Sequence, residues 1–421
     1  MRFQTLLLLA ASGGATAASP PTRPTVTVSS GVIHGVSTNL PKKGATVNKF
    51  LGVPYAAPPA RFERPTFPEP WKKPFKATKF GPACLQNFGL NEIAPRVEVL
   101  QELFNTPKPP ESEDCLSINI FAPVATLAKA PRAVLVFIPG GGFQLGSGRS
   151  DLSAFAAYED IIAVSFNYRT NVFGFPSSQD IPITERNLGL YDQRLALEWI
   201  QQNIASFGGD PSKVTIWGES AGAFSVDFHL KAYANDLPLP FRAAIPSSGQ
   251  TSFGFAALTP NPRDDSGWLA LAEAVGCKTG SDLLKCMKKA SSKKLVDAMF
   301  KQKISFSPQL DGVTVLGKPA ELWRTGQVAR VPILTGTIWE EGRALVNDKV
   351  NLTTFLAVYL PFPPIYKETT DAIVAVYRSD PRLKTDFDIA AAILTDFFWA
   401  CVRPSPYLLF RSRIREPKRA N

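Results

Sequence analysis

The 421-residue chain has 45% hydrophobic and 19% charged residues, which excludes an intrinsically disordered protein and supplies enough apolar side chain for a large core. Its formal net charge of +10 is not accompanied by a nucleic-acid-binding motif. We therefore expect a solvated basic surface and no nucleic-acid partner.

Residues 1–18 are typical of a secretory signal peptide. Arg2 precedes an apolar stretch at 5–11 and the small residues Ala15, Thr16 and Ala17. The stretch is too short to span a bilayer, and no other segment is a candidate membrane helix. We predict a secreted protein with one folded domain from residue 19 to 421.

Export would place the cysteines in an oxidising environment. Four of the five could form two disulfides, and no pair has the CxxC spacing of a zinc or redox site. The cysteines are Cys84, Cys115, Cys277, Cys286 and Cys401. Asn351 begins the one N-glycosylation motif of the chain. We predict no metal site and no cofactor.

The remaining pattern alternates between strands and helices, and several strands are fully apolar. This predicts an α/β protein with a mostly parallel sheet covered by helices on both faces. A hairpin is predicted at 26–36, a packed loop at 50–59, strands at 115–121, 133–138, 161–167, 214–217, 243–246 and 331–336, and helices at 188–206 and 221–232.

The sharpest chemical signal is the sequence GESAG at 218–222, which follows one of these strands and precedes a helix. This strand–turn–helix context predicts that the turn presents the Ser220 hydroxyl as a nucleophile and the Ala221 N–H as an oxyanion donor. A second signal is the sequence PGGGF at 139–143, directly after the strand at 133–138. Consecutive glycines can present backbone N–H groups to a developing oxyanion.

Together these motifs resemble the type-B carboxylesterase/lipase family, which contains cholinesterases and fungal secreted lipases. The resemblance runs from about residue 29 to 413 and includes, in order, FLGVPYA at 50–56, SEDCLSIN at 112–119, GGGF at 140–143, NYR at 167–169, NLGLYDQR at 187–194, FGGDP at 207–211 and GESAG at 218–222. It implies an α/β-hydrolase fold, a small-molecule carboxylic ester as substrate, and no cofactor.

The resemblance also implies roles for particular residues. Ser220 matches the nucleophile, and Gly141, Gly142 and Ala221 match the oxyanion-hole donors. Cys84 and Cys115 match one disulfide of the family, and Cys277 and Cys286 match another. The family's His-Gly-Gly-Gly-Phe form has Pro139 in place of the histidine here.

The acid of the proposed triad falls in the sequence GTIWEEG at 336–342. Glu341 matches the family's catalytic acid, and Glu340 stands where the family usually has aspartate. A carboxylate at this point would hold a histidine in the correct tautomer. The alternative is a pair of solvated glutamates.

The histidine of the triad is not found. His229 lies nine residues beyond Ser220 on the predicted helix, about 13 Å along its axis, whereas a base must come within about 3 Å. His34 lies in the predicted hairpin. The family's histidine follows a late strand that residues 406–410 resemble, and Asn421 ends the sequence soon after, so we expect the histidine segment to be missing.

Three functions stay open on this sequence. The chain could be an ester hydrolase, an inactive truncated esterase, or a non-catalytic binding protein, although binding members of the family have lost the serine that this chain keeps. Residues 84–111 match the lid of fungal lipases in the family, and they could form a lid or a packed loop. Their apolar residues are Leu85, Phe88, Leu90, Ile93, Val97, Leu100 and Leu103.

The missing base gives a direct prediction. The 421-residue chain should hydrolyse p-nitrophenyl acetate several orders of magnitude more slowly than a full-length family member, because a triad without one member keeps only the contributions of the oxyanion hole and of binding. Turnover by this chain at the rate of a full-length relative would contradict the prediction.

Overall fold

A computed structural model of the chain describes residues 23–41, 45–90, 97–124, 130–250, 262–280, 282–359 and 367–400. The predicted signal peptide, Cys401 and the strand-like residues 406–410 lie outside these ranges. No helix of the described residues is long and apolar enough to cross a membrane.

The strands of the described residues are β1 (Thr25–Val28), β2 (Gly31–His34), β3 (Val36–Asn39), β4 (Thr46–Pro54), β5 (Phe75–Lys76), β6 (Ala83–Cys84), β7 (Glu111–Ser112), β8 (Ser117–Pro123), β9 (Arg132–Ile138), β10 (Ile162–Phe166), β11 (Gly209–Glu219) and β12 (Ala243–Ser247).

The helices are α1 (Val97–Asn105), α2 (Ser153–Glu159), α3 (Asn171–Gly174), α4 (Leu188–Asn203), α5 (Ala221–Ala232), α6 (Ser266–Ala274), α7 (Leu283–Lys289), α8 (Ser292–Gln302), α9 (Pro319–Thr325), α10 (Glu341–Leu345), α11 (Leu352–Tyr359), α12 (Lys367–Arg378) and α13 (Asp386–Thr395). Short 3₁₀ turns at Ile183–Glu185 and Ile204–Phe207 and a π turn at Asp396–Ala400 complete them.

The central feature is a seven-stranded sheet in the order β12-β11-β9-β10-β8-β4-β3. Strands β10, β9, β11 and β12 are parallel, whereas β8, β4 and β3 continue the sheet by antiparallel pairing. The predicted α/β class is confirmed, and the sheet is mixed, with its parallel pairs confined to one half. That half carries the site, because the carboxyl ends of β9, β11 and β12 meet at one edge.

Most predicted elements of the parallel half are confirmed. Every residue of β10 is buried, as the apolar run predicted, and α4 and α5 coincide closely with the predicted helices. The hairpin of β1 and β2 is also present, with Thr25 opposite His34. Strand β11 begins at Gly209, before the predicted start at residue 214, because Gly209 already pairs with Arg132 of β9. The register between the two strands then shifts before Val214.

The prediction of a loop at 50–59 is wrong over its first part. Strand β4 extends to Pro54 and pairs with β3 and β8 on its two sides. Gly52 has a φ of +68°, and the register with β8 shifts between Phe50 and Val53. Pairing on both sides and the burial of Phe50, Leu51 and Val53 therefore outweigh the turn-like sequence.

The strand predicted at 331–336 is reduced to two isolated bridges beside β12. Ala244 is bridged to Ile333, and Ser247 is bridged to Gly336, both in parallel orientation. The backbone N–H of Ser248 also donates to the Gly336 carbonyl at 2.8 Å. This attachment holds the segment that leads to α10 at the carboxyl end of β12.

Apolar side chains form one large core around the sheet and a smaller one among α10 to α13. The large core includes Trp199, Trp268 and Trp323, all at most 1% exposed. The smaller one is centred on Phe355 and Ile393. A single domain from residue 19 to 421 stays a prediction.

A buried ion pair joins the end of β10 to α4. The Arg169 guanidinium donates to both carboxylate oxygens of Asp192, at 2.7 and 2.8 Å, and the Arg169 backbone N–H donates to the same carboxylate at 3.0 Å. Asp192 is fully buried and Arg169 is 4% exposed. Neither charge has access to bulk water, so each depends on the other.

Loss of this carboxylate should destabilise the fold. Asp192→Ala is expected to lower the free energy of unfolding by about 3–5 kcal/mol, because it leaves the Arg169 charge buried and unpaired. The exposed Asp180 provides a control of the same chemistry, and Asp180→Ala should stay within about 0.5 kcal/mol. Denaturant unfolding measures both, and equal effects would refute the argument.

Candidate active site

Ser220 occupies a strained turn between β11 and α5. Its φ of 53° and ψ of −121° lie in a region that L-residues rarely adopt. The turn is held by a hydrogen bond from the Ser220 N–H to the Ser247 carbonyl at 3.0 Å. The strain therefore persists because β12 fixes the backbone of the serine from the side.

The glycines on either side of Ser220 are required by close backbone contact. A Cβ on Gly218 would stand 2.2 Å from the carbonyl carbon of Gly222, and a Cβ on Gly222 would stand 2.0 Å from the Ile138 carbonyl oxygen. Both contacts are with backbone, which cannot turn aside as a flexible side chain can. The glycines let α5 begin directly against the ends of β9 and β11.

The glycine-rich loop after β9 lies directly beside Ser220. A Cβ on Gly140 would be 3.1 Å from the Ser220 Cβ. Gly141 and Gly142 have φ values of +112° and +62°, and no atom lies within 4 Å of the position that a Gly142 Cβ would occupy. Of the three glycines only Gly142 thus faces open space, whereas a Cβ on Gly141 would stand 2.3 Å from the Leu145 carbonyl oxygen.

Three backbone N–H groups are available at this point. Ala221 is the first residue of α5, whose leading N–H groups have no partner within the helix. Within the described residues, the N–H groups of Gly141 and Gly142 donate no backbone hydrogen bond. The Tyr168 hydroxyl anchors the loop by donating to the Pro139 carbonyl at 2.9 Å.

The two glutamates at the start of α10 have different surroundings. Glu341 is 5% exposed, and its Oε1 accepts a hydrogen bond from the Ile338 N–H at 2.9 Å. Glu340 is exposed, and its carboxylate bonds to Arg343 at 2.9 Å. Only Glu341 is therefore turned into the protein.

Glu219 is a site residue that the sequence reasoning missed. Its Oε2 lies 2.7 Å from the position of a Gly140 Cβ, so the carboxyl is in contact with the glycine-rich loop although the residue as a whole is exposed. Burial of the carboxyl, followed by the negative charge of Glu341, raises the pKa of Glu219 to about 7. Its position directly before Ser220 was the available signal.

Neither histidine of the sequence contacts Ser220 within the described residues. His229 is 1% exposed, and its Nε2 is 2.8 Å from the Gln193 Oε1. Burial and the nearby charge of Arg194 lower the pKa of His229 to about 3, so the ring is neutral. His34 lies on β2, where its Nδ1 is 2.9 Å from the Thr25 hydroxyl.

A cavity of about 470 Å³ borders Gly140 and Glu219. Its other lining residues include Phe80, Phe104, Phe137 and Arg149. The described part of the segment 84–111 is packed beside it, since Phe88 and Leu100 form a small cluster with Leu145. Ile93 lies outside the described residues, and whether the segment also acts as a lid stays open.

Both expected disulfides are present. Cys84 is bonded to Cys115, and Cys277 is bonded to Cys286. The described residues contain no cluster of histidine, cysteine, aspartate or glutamate that could hold a metal ion.

A serine in a strained turn at the carboxyl edge of a parallel sheet, with a glycine-rich loop against it, defines a candidate serine hydrolase of the α/β-hydrolase type. The sequence model of the carboxylesterase family matches residues 22–360, and the chain belongs to this family, whose activity is carboxylic ester hydrolysis.

Its similarity extends to individual relatives. The chain is 36% identical to a cholinesterase of Mus musculus over 76% of this chain and 54% of the cholinesterase. It is 34% identical to Lipase 2 of Diutina rugosa over 91% of this chain and 74% of the lipase, and 34% identical to Lipase 4 over 87% and 71%. The chain thus spans about half of the cholinesterase and somewhat over two thirds of the lipases.

The close contact at Gly222 can be tested by adding one methyl group. Gly222→Ala should lower the free energy of unfolding by about 1–3 kcal/mol or more, because the new Cβ overlaps the Ile138 carbonyl. Gly267→Ala on α6 is the matched control, since its Cβ would find its nearest atom at 3.5 Å and alanine favours a helix. Thermal unfolding should show a loss only for Gly222→Ala.

The raised pKa of Glu219 gives a pH-dependent prediction. The native state holds the Glu219 proton more tightly than the unfolded state does, so this group's contribution to stability is lost as the pH rises from about 5 to about 8. Glu219→Gln should therefore raise the melting temperature relative to wild type more at pH ~8 than at pH ~5. Glu340→Gln, the exposed neighbour, should show no such trend, and a flat difference for Glu219→Gln would contradict the assignment.

Proposed function

We propose that the protein hydrolyses carboxylic esters with Ser220 as the nucleophile. The Ser220 Oγ adds to the ester carbonyl carbon, the alcohol leaves, and water then releases the carboxylic acid from the acyl-serine. The observation that carries the proposal is the strained turn that sets Ser220 against the glycine-rich loop, with only 3.1 Å between the Gly140 Cβ position and the Ser220 Cβ.

The tetrahedral intermediate needs hydrogen-bond donors for its oxyanion. The N–H groups of Gly141, Gly142 and Ala221 fill this role in the proposal, because those of Gly141 and Gly142 donate no backbone hydrogen bond within the described residues and that of Ala221 begins α5. The N-terminal end of α5 adds a favourable field for the negative charge.

Glu341 is the acid of the proposed triad. Its burial and its position at the carboxyl end of β12 support this role over one for the solvated Glu340. In the proposal an imidazole oriented by Glu341 takes the Ser220 proton, and neither His34 nor His229 is placed to supply it. In the proposal the 421-residue chain therefore combines the Ser220 nucleophile and the oxyanion hole with slow proton transfer.

The substrates of the proposal are small-molecule carboxylic esters. A cavity that borders Gly140 and Glu219 has a mixed lining, in which Phe80, Leu103, Phe104 and Phe137 offer apolar contacts for the acyl or alkyl part of such an ester. The names of the relatives, cholinesterase and lipase, both denote ester hydrolysis.

Chemical rescue tests the proposal directly. Imidazole at tens of millimolar should raise the rate of p-nitrophenyl acetate hydrolysis above that of imidazole alone, because it replaces the proton acceptor at Ser220. Ser220→Ala should abolish both the rescue and labelling by a fluorophosphonate. Ser212→Ala, an exposed serine on β11, should leave both unchanged.

Three outcomes separate the candidate functions. Labelling of Ser220 with rescue supports an ester hydrolase. Labelling without rescue indicates an inactive esterase, and the absence of labelling in a folded protein indicates a non-catalytic binding protein.

We further propose that the protein is secreted and carries an N-glycan at Asn351. The leader-like residues 1–18 and the two disulfides support export. Asn351 is exposed before α11, and its Oδ1 accepts from the Thr354 N–H, which leaves the Nδ2 atom outside this hydrogen bond.

The glycan is tested by expression in a eukaryotic secretory host. The secreted wild-type protein should shift in gel mobility on treatment with an N-glycosidase, whereas Asn351→Gln should not. A shift that persists in the variant would refute the assignment.

A further inference from the structure

The strongest concentration of charge lies away from the candidate active site, on α7 and α8. Residues 278–303 contain eight lysines and two aspartates, a local net charge of +6 in a chain whose net charge is +10. All eight lysines are exposed. We call them the lysine face: Lys278, Lys285, Lys288, Lys289, Lys293, Lys294, Lys301 and Lys303.

The outward position of these lysines follows from the apolar pattern of the two helices. Helix α7 buries Leu283 and Met287, and α8 buries Leu295 and Met299. Each pair is four residues apart and faces the core, so the lysines between them fall on the solvent side.

Three of the lysines line a surface groove of about 500 Å³. They are Lys285, Lys289 and Lys294, with Ser291 and Asp282 beside them. The Asp282 carboxylate is 4.0 Å from the Lys285 ammonium, and no carboxylate of the described residues forms an ion pair with Lys289 or Lys294. The groove is therefore a concentration of positive charge that the protein itself does not neutralise.

Exposed apolar side chains border the lysine face. Phe300 of α8 contacts Gly89, since its Cα lies 2.3 Å from the position of a Gly89 Cβ. The adjacent Phe88 packs against Leu100 of α1. Helices α1 and α8 thus flank the same short segment. The exposed apolar residues of this border are Val99 and Phe300, which are 39% and 46% exposed, whereas Leu103 of α1 lines the cavity at Gly140 and Glu219.

We propose that the lysine face and its apolar border dock the protein on a lipid surface that carries anionic phosphate headgroups. Clustered lysines are attracted to such a surface, and the neighbouring valine and phenylalanine side chains enter its interfacial layer. A nucleic acid would also attract the lysines, but it offers no apolar layer for Val99 and Phe300. The chemistry of the border therefore favours lipid.

Docking is a separate property from ester hydrolysis, because the lysines, Val99 and Phe300 neither touch Ser220 in the proposed mechanism nor line the cavity at Gly140 and Glu219. It can be measured by binding alone, and its failure would leave the proposed function unaffected. Its consequence for the enzyme would be residence at a lipid–water interface.

Vesicle sedimentation tests the proposal with the full chain. The protein should bind vesicles of phosphatidylcholine with about a third phosphatidylserine, and it should not bind pure phosphatidylcholine. Lys285→Gln, Lys289→Gln and Lys294→Gln together should weaken binding roughly 100-fold, about 5-fold for each lysine, and salt should weaken it further.

A matched variant separates the lysine face from general charge. Lys72→Gln, Lys73→Gln and Lys76→Gln remove the same charge from exposed positions at β5 and should change binding less than about 3-fold. Val99→Ser should weaken binding to anionic vesicles without altering the melting temperature.

Several results would overturn the proposal. Equal binding to neutral and anionic vesicles would do so, as would equal losses in the two triple-lysine variants. Tighter binding to a DNA duplex than to the anionic vesicles, lost in the same groove variant, would identify the lysine face as a nucleic-acid surface.

Discussion

The close approach of α5 to the ends of β9 and β11 is the constraint on which the site depends. Gly218 and Gly222 permit it, because any side chain there would overlap the backbone of Gly222 or Ile138. The same approach forces the unusual backbone of Ser220 and brings the glycine-rich loop against it. The proposed ester chemistry thus rests on a backbone contact that only glycine allows.

The sequence predicted the parallel half of the sheet well, since buried strands such as β9 and β10 are read from continuous apolar runs. It predicted less of the antiparallel half. The residues of β4 resemble a loop in sequence. They form a strand because they pair with β3, which is polar, and with β8, which lies far along the chain. The segment at 331–336 shows the opposite case. Its apolar run predicted a strand, but it forms only two isolated β-bridges.

The candidate site was predictable where the spacing of a sequence motif specifies a local backbone geometry. This was the case for Ser220 and for the glycine-rich loop. Glu219 was missed because its raised pKa depends first on the burial of its carboxyl and then on the charge of Glu341, both of which only the fold creates. His229 was excluded as the base by its distance from Ser220 along the helix, and its buried contact with Gln193 and its lowered pKa agree with a structural role.

The bond between Cys84 and Cys115 closes a loop that contains α1 and ends where β8 begins. One end of this loop is fixed to the central sheet, and the other is tied back to the same place. A protease that cuts once within the loop would therefore leave both pieces in one molecule, with their packing on the sheet retained. The covalent link between the two pieces would then be the disulfide alone, and a reducing agent would leave them held only by their packing on the sheet.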